Sequence, residues 1–278
     1  MQNYENNSAE TFPHPLQNQV SDNELLPPSP NNPPWNSAAA FGVWILSIIF
    51  IAVVPTVGLI IYAISKGMQV TSPDFAASIQ NDAAAIVVNI ALVIPAHILT
   101  IAVAWAVITR FNKYSFTEMV GWKWGGFNIF YIILTVIGFY VLAAILTSYF
   151  GEQEHELTKI LKSSRNAVYF VAFMATFTAP LVEETIYRGI LYSAFQRTFG
   201  IPLAVIAVTA LFAGVHFVQY WNSPVALLLV TLLSLALTLI RVKSGNLLPC
   251  IVLHTIFNGV QALLLIVEPY VNKTVTAG

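Results

Sequence analysis

The sequence has little charge and a single cysteine. Only 9% of its 278 residues are charged, against about 25% in soluble domains, and 57% are hydrophobic. The one cysteine, Cys250, excludes an intramolecular disulfide and a cysteine-rich metal site, and its apolar surroundings indicate a packing residue. The net charge of -1 and the lack of any basic run argue against a nucleic-acid partner. This composition is that of a multi-pass membrane protein.

The first 38 residues differ from the rest, because they are rich in Pro, Asn, Gln and Ser and contain no Lys or Arg. Such a segment buries too little apolar area to offset the entropy lost on ordering, so residues 1–38 are predicted to form a disordered polar tail. They also lack the basic start and apolar core of an ordinary signal peptide. The first apolar segment is therefore expected to remain as an uncleaved anchor.

Helices that cross a membrane need about 20 mostly apolar residues. The segments of this kind are 39–65, 84–109, 128–150, 168–182, 201–219, 225–242 and 247–267. The amphipathic segment 183–199 is either buried among its neighbours or lies on the surface, and Pro180 is expected to break the chain before it. The sequence therefore predicts an all-α, multi-pass transmembrane bundle of seven or eight helices, with the site buried among them.

The chain divides into three parts on this pattern: the tail, three N-terminal transmembrane helices over 39–150, and a core over 168–267 that holds the unusual polar residues. Lys and Arg number seven on the side of the N-terminus and five on the other, which favours a cytoplasmic N-terminus. We expect an integral protein of the cell membrane, surrounded by membrane lipid.

Two adjacent glutamates, Glu183 and Glu184, are the only acidic residues between Glu156 and Glu268. A charge at the centre of a bilayer costs roughly 2.5–3.5 kcal/mol, so such residues face a partner or a wet cavity. Glu184 and Arg188 stand four residues apart on a helix and can form an ion pair. Because Glu183 is turned about 100° from Glu184, it is the glutamate left for chemistry. A purely structural salt bridge at a helix start is the alternative.

Two of the five histidines lie deep in apolar segments downstream of the glutamates. His216 follows Phe212 by four residues in "LFAGVHF", and His254 precedes Asn258 by four residues in "VLHTIFNG". Buried polar groups need partners, and these have few candidates other than one another. By contrast, His97 is expected to form a hydrogen bond between helices, and His14 and His155 are expected to be solvated.

This set of residues suits the hydrolysis of an amide within a membrane. A carboxylate such as Glu183 can act as a general base on water, and Asn258 can donate to the oxyanion of a tetrahedral intermediate. His216 and His254 can orient the water, stabilise the oxyanion or protonate the leaving amine. Glu183, His216 and His254 could also hold one divalent metal such as zinc, so the residues leave open a mechanism with no cofactor and one with a metal.

Other intramembrane protease designs fit less well. An aspartyl mechanism needs two membrane-embedded aspartates, but Asp74 and Asp82 share one loop. A serine mechanism would use a serine at a Gly-rich turn, and no "GxSG" occurs. The zinc motif "HExxH" is also missing, since "HELTK" at His155 departs from it at the last position.

Three ordered motifs resemble those of a known family. "EETIYR" fits EExxxR, "FAGVH" fits FxxxH and "HTIFN" fits HxxxN, and "SGNLLPCIVLH" leads into the last of them. Over about 80 residues, from Pro180 to Gly259, the chain resembles the CAAX prenyl endopeptidase and bacteriocin-processing (CPBP, or Abi-like) family of intramembrane proteases.

The resemblance implies a role for each matching residue. Glu183 would be the catalytic base, His216, His254 and Asn258 would complete the site, and Glu184 with Arg188 would support its geometry. The implied substrate is a membrane-associated protein or peptide, of the prenylated C-a-a-X type in eukaryotic members of the family. The chain itself ends in "TVTAG" and carries no such motif.

Two other functions fit the sequence. Some members of this family are linked to bacteriocin self-immunity or act as scaffolds, and such a protein would bind a membrane partner without cutting it. An ion-coupled transporter could also carry Glu, Arg and His within the membrane, although no internal repeat is evident. A protease should lose cleavage when Glu183 is replaced, a scaffold should keep binding, and a transporter should lose flux.

Overall fold

The computed structural model describes residues 27–151 and 165–276, with side chains up to Val267. Within these ranges the chain forms helices and no β-strand. The elements are α1 (Ser37–Ser65), α2 (Phe75–Asn81), α3 (Ala83–Ala91), α4 (Val93–Thr109), α5 (Phe116–Val120), α6 (Ile129–Phe150), α7 (Arg165–Phe199), α8 (Ile201–Phe217), α9 (Pro224–Ser244) and α10 (Leu248–Thr276). The predictions for His14 and His155 lie outside the described residues.

Six helices of the described chain are long and apolar enough to cross a membrane. They are α1, the run Ala83–Thr109 formed by α3 and α4, α6, α7, α9 and α10 as far as Val267. Helix α8 is equally apolar but shorter, at 17 residues. Large apolar side chains such as Ile61 and Ile206 lie exposed on the outside, as expected for surfaces that face lipid. The protein is therefore a multi-pass, all-α integral membrane protein, as predicted.

Helix α7 continues through Pro180, so the predicted break at this proline was wrong. The segments expected to be separate, 168–182 and 183–199, form one helix of 35 residues. It widens into π-helical turns over Met174–Thr178 and Thr185–Leu191, where amides bond to the carbonyl five residues back. The wider first turn accommodates the proline, which would clash with a carbonyl in a regular α-helix. The described ranges thus contain six helices long enough to cross a membrane and the shorter α8, where the sequence predicted seven or eight membrane helices.

The second half of α7 lies at the centre of the fold. Every residue from Glu184 to Phe195 is buried, so the amphipathic segment lies among its neighbours and not on the surface. Helices α1, α4 and α8 contact this half, and α10 contacts the first half of α7. Helix α9 packs between α8, α10 and α6. The predicted polar residues of α7, α8 and α10 are thereby brought into one region.

The described part of the predicted tail is ordered. Residues 30–36, which we call the N-terminal strap, pack against the second half of α7 and the end of α9. Trp35 is only 3% exposed, and its Nε1 donates to the carbonyl of Ile190 at 3.1 Å. The prediction of disorder through residue 38 was wrong here, because composition does not reveal that this segment meets buried donors. Residues 1–26 lie outside the described residues.

Two minor predictions are confirmed. His97 Nδ1 lies 3.0 Å from Thr178 Oγ1, so this histidine links α4 to α7 through a hydrogen bond between helices. Cys250 is fully buried and its Sγ lies 3.4 Å from the carbonyl oxygen of Leu237, as expected of a packing residue.

Candidate functional site

Glu184 and Arg188 form the predicted ion pair near the middle of α7. Arg188 Nη1 lies 2.8 Å from Glu184 Oε1, and both side chains are fully buried. A buried pair is stable only when further hydrogen bonds satisfy the remaining polar atoms. Arg188 meets this condition, since it donates to the Ser234 carbonyl at 2.8 Å, to Ser234 Oγ at 2.9 Å and to Thr238 Oγ1 at 3.3 Å.

Ser234 and Thr238 are site residues that the sequence reasoning missed. They lie four residues apart on α9, and Arg241 follows after three more, so the three share one face of an otherwise apolar helix. All three are fully buried. The signal was present in "SLALTLIR", where polar residues recur with helical spacing.

Replacing Thr238 by Val should destabilise the protein by about 1–3 kcal/mol, because a buried hydrogen bond to a charged group is lost with almost no change in shape. The free energy of unfolding, measured in the same lipid or detergent, tests this. The matched control is Thr231→Val on the same helix, whose hydroxyl donates to the Leu227 carbonyl within its own helix. Equal costs for the two variants would contradict the role given to Thr238.

His254 lies between the two glutamates. Its Nδ1 is 2.8 Å from Glu184 Oε1, and its Nε2 is 3.8 Å from Glu183 Oε2. A carboxylate oxygen accepts, so Nδ1 carries the hydrogen of the shorter contact. Glu184 therefore fixes the orientation of the imidazole and leaves Nε2 directed towards Glu183. We call Arg188, Glu184, His254 and Glu183 the ionic row.

Glu183 differs from its neighbour in exposure and in partners. Its side chain is 27% exposed, whereas that of Glu184 is fully buried. Its separation of 3.8 Å from His254 is too long for a direct hydrogen bond. Glu183 is therefore the more accessible carboxylate, in agreement with the prediction from helix geometry.

His216 joins this region through Phe212. Nδ1 of His216 donates to the Phe212 carbonyl at 2.8 Å, because a carbonyl can only accept, and this leaves Nε2 for other contacts. The Phe212 ring stacks on His216 with centroids 4.6 Å apart and meets His254 edge-on at 6.2 Å. Tyr220 stacks on the other side of His216 at 6.3 Å. Burial raises the pKa of the Tyr220 phenol, and the negative charge of Glu183 raises it further.

The sequence suggested that the Asn258 amide is free to donate to an oxyanion, but part of it is already engaged. Its Nδ2 donates to the carbonyl of Ala175 at 2.9 Å. In the π turn the Ala179 amide donates to the Met174 carbonyl, five residues back. By the same spacing the Ala175 carbonyl would accept from residue 180, but Pro180 has no N–H. Asn258 supplies the donor that Pro180 lacks. One amide hydrogen is thereby committed to holding α10 against α7.

Replacing Asn258 by Ala should cost about 1–3 kcal/mol of stability, because the Ala175 carbonyl then loses its donor. The cost should fall well below this range in a Pro180→Ala background, where the new backbone N–H at position 180 can serve the same carbonyl. Unfolding free energies of the two single variants and the double variant measure the coupling. Equal costs in both backgrounds would show that Asn258 does not compensate for Pro180.

The possible metal ligands do not assemble into a metal site. Glu183 and His254 approach each other, but the described residues contain no group of three His, Cys, Asp or Glu placed to hold a metal ion. Nδ1 of both histidines is engaged, His216 with a carbonyl and His254 with Glu184, which leaves Nε2 of each ring as the atom able to bind a metal. Among the described residues, however, Glu183, His216 and His254 are not placed together as a three-ligand zinc site.

Comparison with protein families gives one match. The model of the type II CAAX prenyl endopeptidase Rce1-like family matches residues 165–260, which span α7, α8, α9 and the first part of α10. No curated protein and no solved structure gives a significant match. The matched segment contains all six residues that the motifs singled out: Glu183, Glu184, Arg188, His216, His254 and Asn258. The resemblance read from the motifs is thus confirmed over residues 165–260, which are similar to the Rce1-like type II CAAX prenyl endopeptidases.

Proposed function

We propose that this protein is an intramembrane endopeptidase that hydrolyses a peptide bond of a membrane-associated protein or peptide with water activated by Glu183. The observation that carries the proposal is the difference between the two adjacent glutamates. Glu184 is fully buried and bonded to Arg188 and His254, whereas Glu183 is 27% exposed and faces His254 Nε2 across 3.8 Å. One carboxylate is held in place, and the other is available to a substrate.

The first step is attack by water. The separation of 3.8 Å between Glu183 Oε2 and His254 Nε2 is too long for a hydrogen bond, and a water beside the two atoms can contact both. Glu183 takes a proton from the water as its oxygen bonds to the carbonyl carbon of the scissile peptide. Nε2 of His216 lies on the side of the ring away from the Phe212 carbonyl and accepts the second hydrogen of the water, which orients it.

The oxyanion that forms needs donors already in place. His254 is anchored through Nδ1 to Glu184, so it acts as a donor to the oxyanion when Nε2 also carries a hydrogen. The amide hydrogen of Asn258 that Ala175 does not use lies one helical turn further along α10. These two groups act as the oxyanion donors. Glu183 then passes its proton to the leaving amine, the C–N bond breaks, and the carboxylate is restored.

The substrate is proposed to reach the site from the membrane. The name of the matching family indicates a prenylated C-a-a-X sequence, and the helices that surround the site have apolar surfaces suited to a lipid-anchored chain. A prenyl group would keep the peptide in the bilayer and raise its concentration near Glu183. The peptide bond cleaved would be the one after the prenylated cysteine.

The test uses the purified protein in lipid vesicles with a prenylated C-a-a-X peptide and the same peptide without the prenyl group. Mass spectrometry should find the released tripeptide from the prenylated peptide, and much less from the other. Equal cleavage of both peptides would contradict the proposed specificity for a prenyl group but would still support an endopeptidase activity. No cleavage of either, nor of any protein in a membrane extract, would favour the immunity, scaffold or transporter alternatives.

A further inference from the structure

Arg241 is a buried cation outside the predicted site. It lies near the end of α9, is fully buried and has no carboxylate partner among the described residues. Its guanidinium instead donates to neutral oxygens and lies over the Tyr192 ring at 5.4 Å. These acceptors are Asn31 Oδ1 at 3.0 Å, the Pro30 carbonyl at 2.9 Å, Ser193 Oγ at 3.1 Å and the Arg188 carbonyl at 3.3 Å.

Two of these acceptors belong to the N-terminal strap, which lies about 200 residues earlier in the chain. A buried guanidinium loses its hydration and needs nearly all of its N–H groups satisfied. Asn31 and Pro30 therefore complete a set of acceptors that α7 and α9 provide only in part. Without the strap, Arg241 would keep only the hydrogen bonds to Ser193 and Arg188 and the contact with the Tyr192 ring.

Arg241 connects the strap to the ionic row. Its Nε donates to the backbone carbonyl of Arg188, inside the π-helical turn Thr185–Leu191. The side chain of that same Arg188 holds Glu184, and Glu184 holds His254. The position of the imidazole thus depends on the backbone position at residue 188, which Arg241 fixes from the other side.

The strap contacts α7 at further points, one of them in the π-helical turn. Trp35 Nε1 donates to the Ile190 carbonyl at 3.1 Å, and Arg197 donates to the carbonyls of Pro33 and Trp35. Gln196 Nε2 donates to Asn31 Oδ1 at 3.1 Å. These contacts hold α7 after the glutamates, at Ile190 in the π-helical turn and at Gln196 and Arg197 beyond it.

From these contacts we infer that the N-terminal strap is a positioning element of the active site, with Asn31 and Arg241 as positioning residues that act through Arg188. This inference rests on the proposed endopeptidase function. It also places a necessary part of the site outside residues 165–260, the segment that matches the family. The functional unit then extends from the strap to α10.

The test compares full-length wild type, Asn31→Ala and Asn81→Ala, each in lipid nanodiscs. Asn81 is an exposed asparagine at the end of α2 and serves as the matched control. Two quantities are measured: turnover of the prenylated peptide per folded molecule, and the ¹⁵N signals of the His254 ring, assigned with a His254→Asn variant. The ring signals report its tautomer and do not require any cleavage.

We expect Asn31→Ala to lower kcat about tenfold with KM within about twofold, since a small misplacement of a catalytic group has effects of this size or larger. The His254 signals should change from one tautomer bonded through Nδ1 to a mixture, while Asn81→Ala matches wild type in both. Arg241→Lys should show the same changes more strongly. Wild-type ring signals and turnover in Asn31→Ala would overturn the inference. If wild type cleaves nothing, the proposed function fails, but the ring signals still decide the positioning role.

Discussion

Replacing Glu183 by Gln should lower peptide cleavage by about 10²–10⁴-fold, the usual contribution of a general base, while the protein remains folded. The amide has the size of the carboxylate but cannot take a proton from water. Glu183 is partly exposed and makes no direct hydrogen bond at its 3.8 Å distance from His254, so the substitution should cost little stability. Turnover of a cleavable peptide by equal amounts of folded protein measures the effect.

Glu118→Gln provides the matched control for this experiment. Glu118 is an exposed carboxylate in α5, so its neutralisation should leave turnover unchanged. Wild-type turnover by Glu183→Gln would exclude Glu183 as the base. Loss of activity together with loss of folded protein would show that Glu183 is structural, contrary to its exposure.

Replacing Glu184 by Gln should act mainly on stability. The carboxylate is fully buried and compensates the charge of Arg188, and removing one partner of a buried ion pair costs about 3–5 kcal/mol. For a chain of this size such a loss corresponds to a decrease in Tm of roughly 10 °C or more. His254 Nδ1 and Arg188 Nη1 both contact Glu184 Oε1, which the amide keeps only as an uncharged acceptor, so His254 is held less firmly and activity should fall in the molecules that remain folded.

Thermal unfolding of Glu184→Gln beside Glu183→Gln measures the contrast between neighbouring positions. The same substitution, made one residue apart, should destabilise the protein strongly at position 184 and weakly at position 183. Similar Tm values for the two variants would show that the ion pair with Arg188 does not hold the site together.

Several contacts between the polar side chains could be predicted from the sequence, because the membrane leaves few places for polar residues. Glu184 and Arg188 are paired as their spacing predicts, and His254 meets both glutamates although it lies 70 residues away from Glu184. In an apolar bundle such groups satisfy one another or remain unsatisfied, so their pairing follows from their scarcity. The roles of Glu183, His216 and Asn258 in catalysis remain predictions.

The features that escaped prediction depend on backbone geometry. The π-helical turns allow Pro180 to lie inside α7, expose the Ala175 carbonyl to Asn258 and present the Arg188 carbonyl to Arg241. None of these contacts can be predicted from the spacing of apolar residues, because that method takes every helix to be a regular α-helix. The ordered strap was missed for a related reason, since its carbonyls bind arginines of α7 and α9 and its own composition is that of a disordered segment.

The most direct test compares wild type and Glu183→Gln in lipid against a membrane extract and prenylated C-a-a-X peptides, with and without a metal chelator, and identifies all new chain ends by mass spectrometry. A water molecule activated by Glu183 without a metal predicts new ends with wild type alone, and the same ends when the chelator is present. The same ends from both proteins, or loss of cleavage on chelation, would contradict this mechanism.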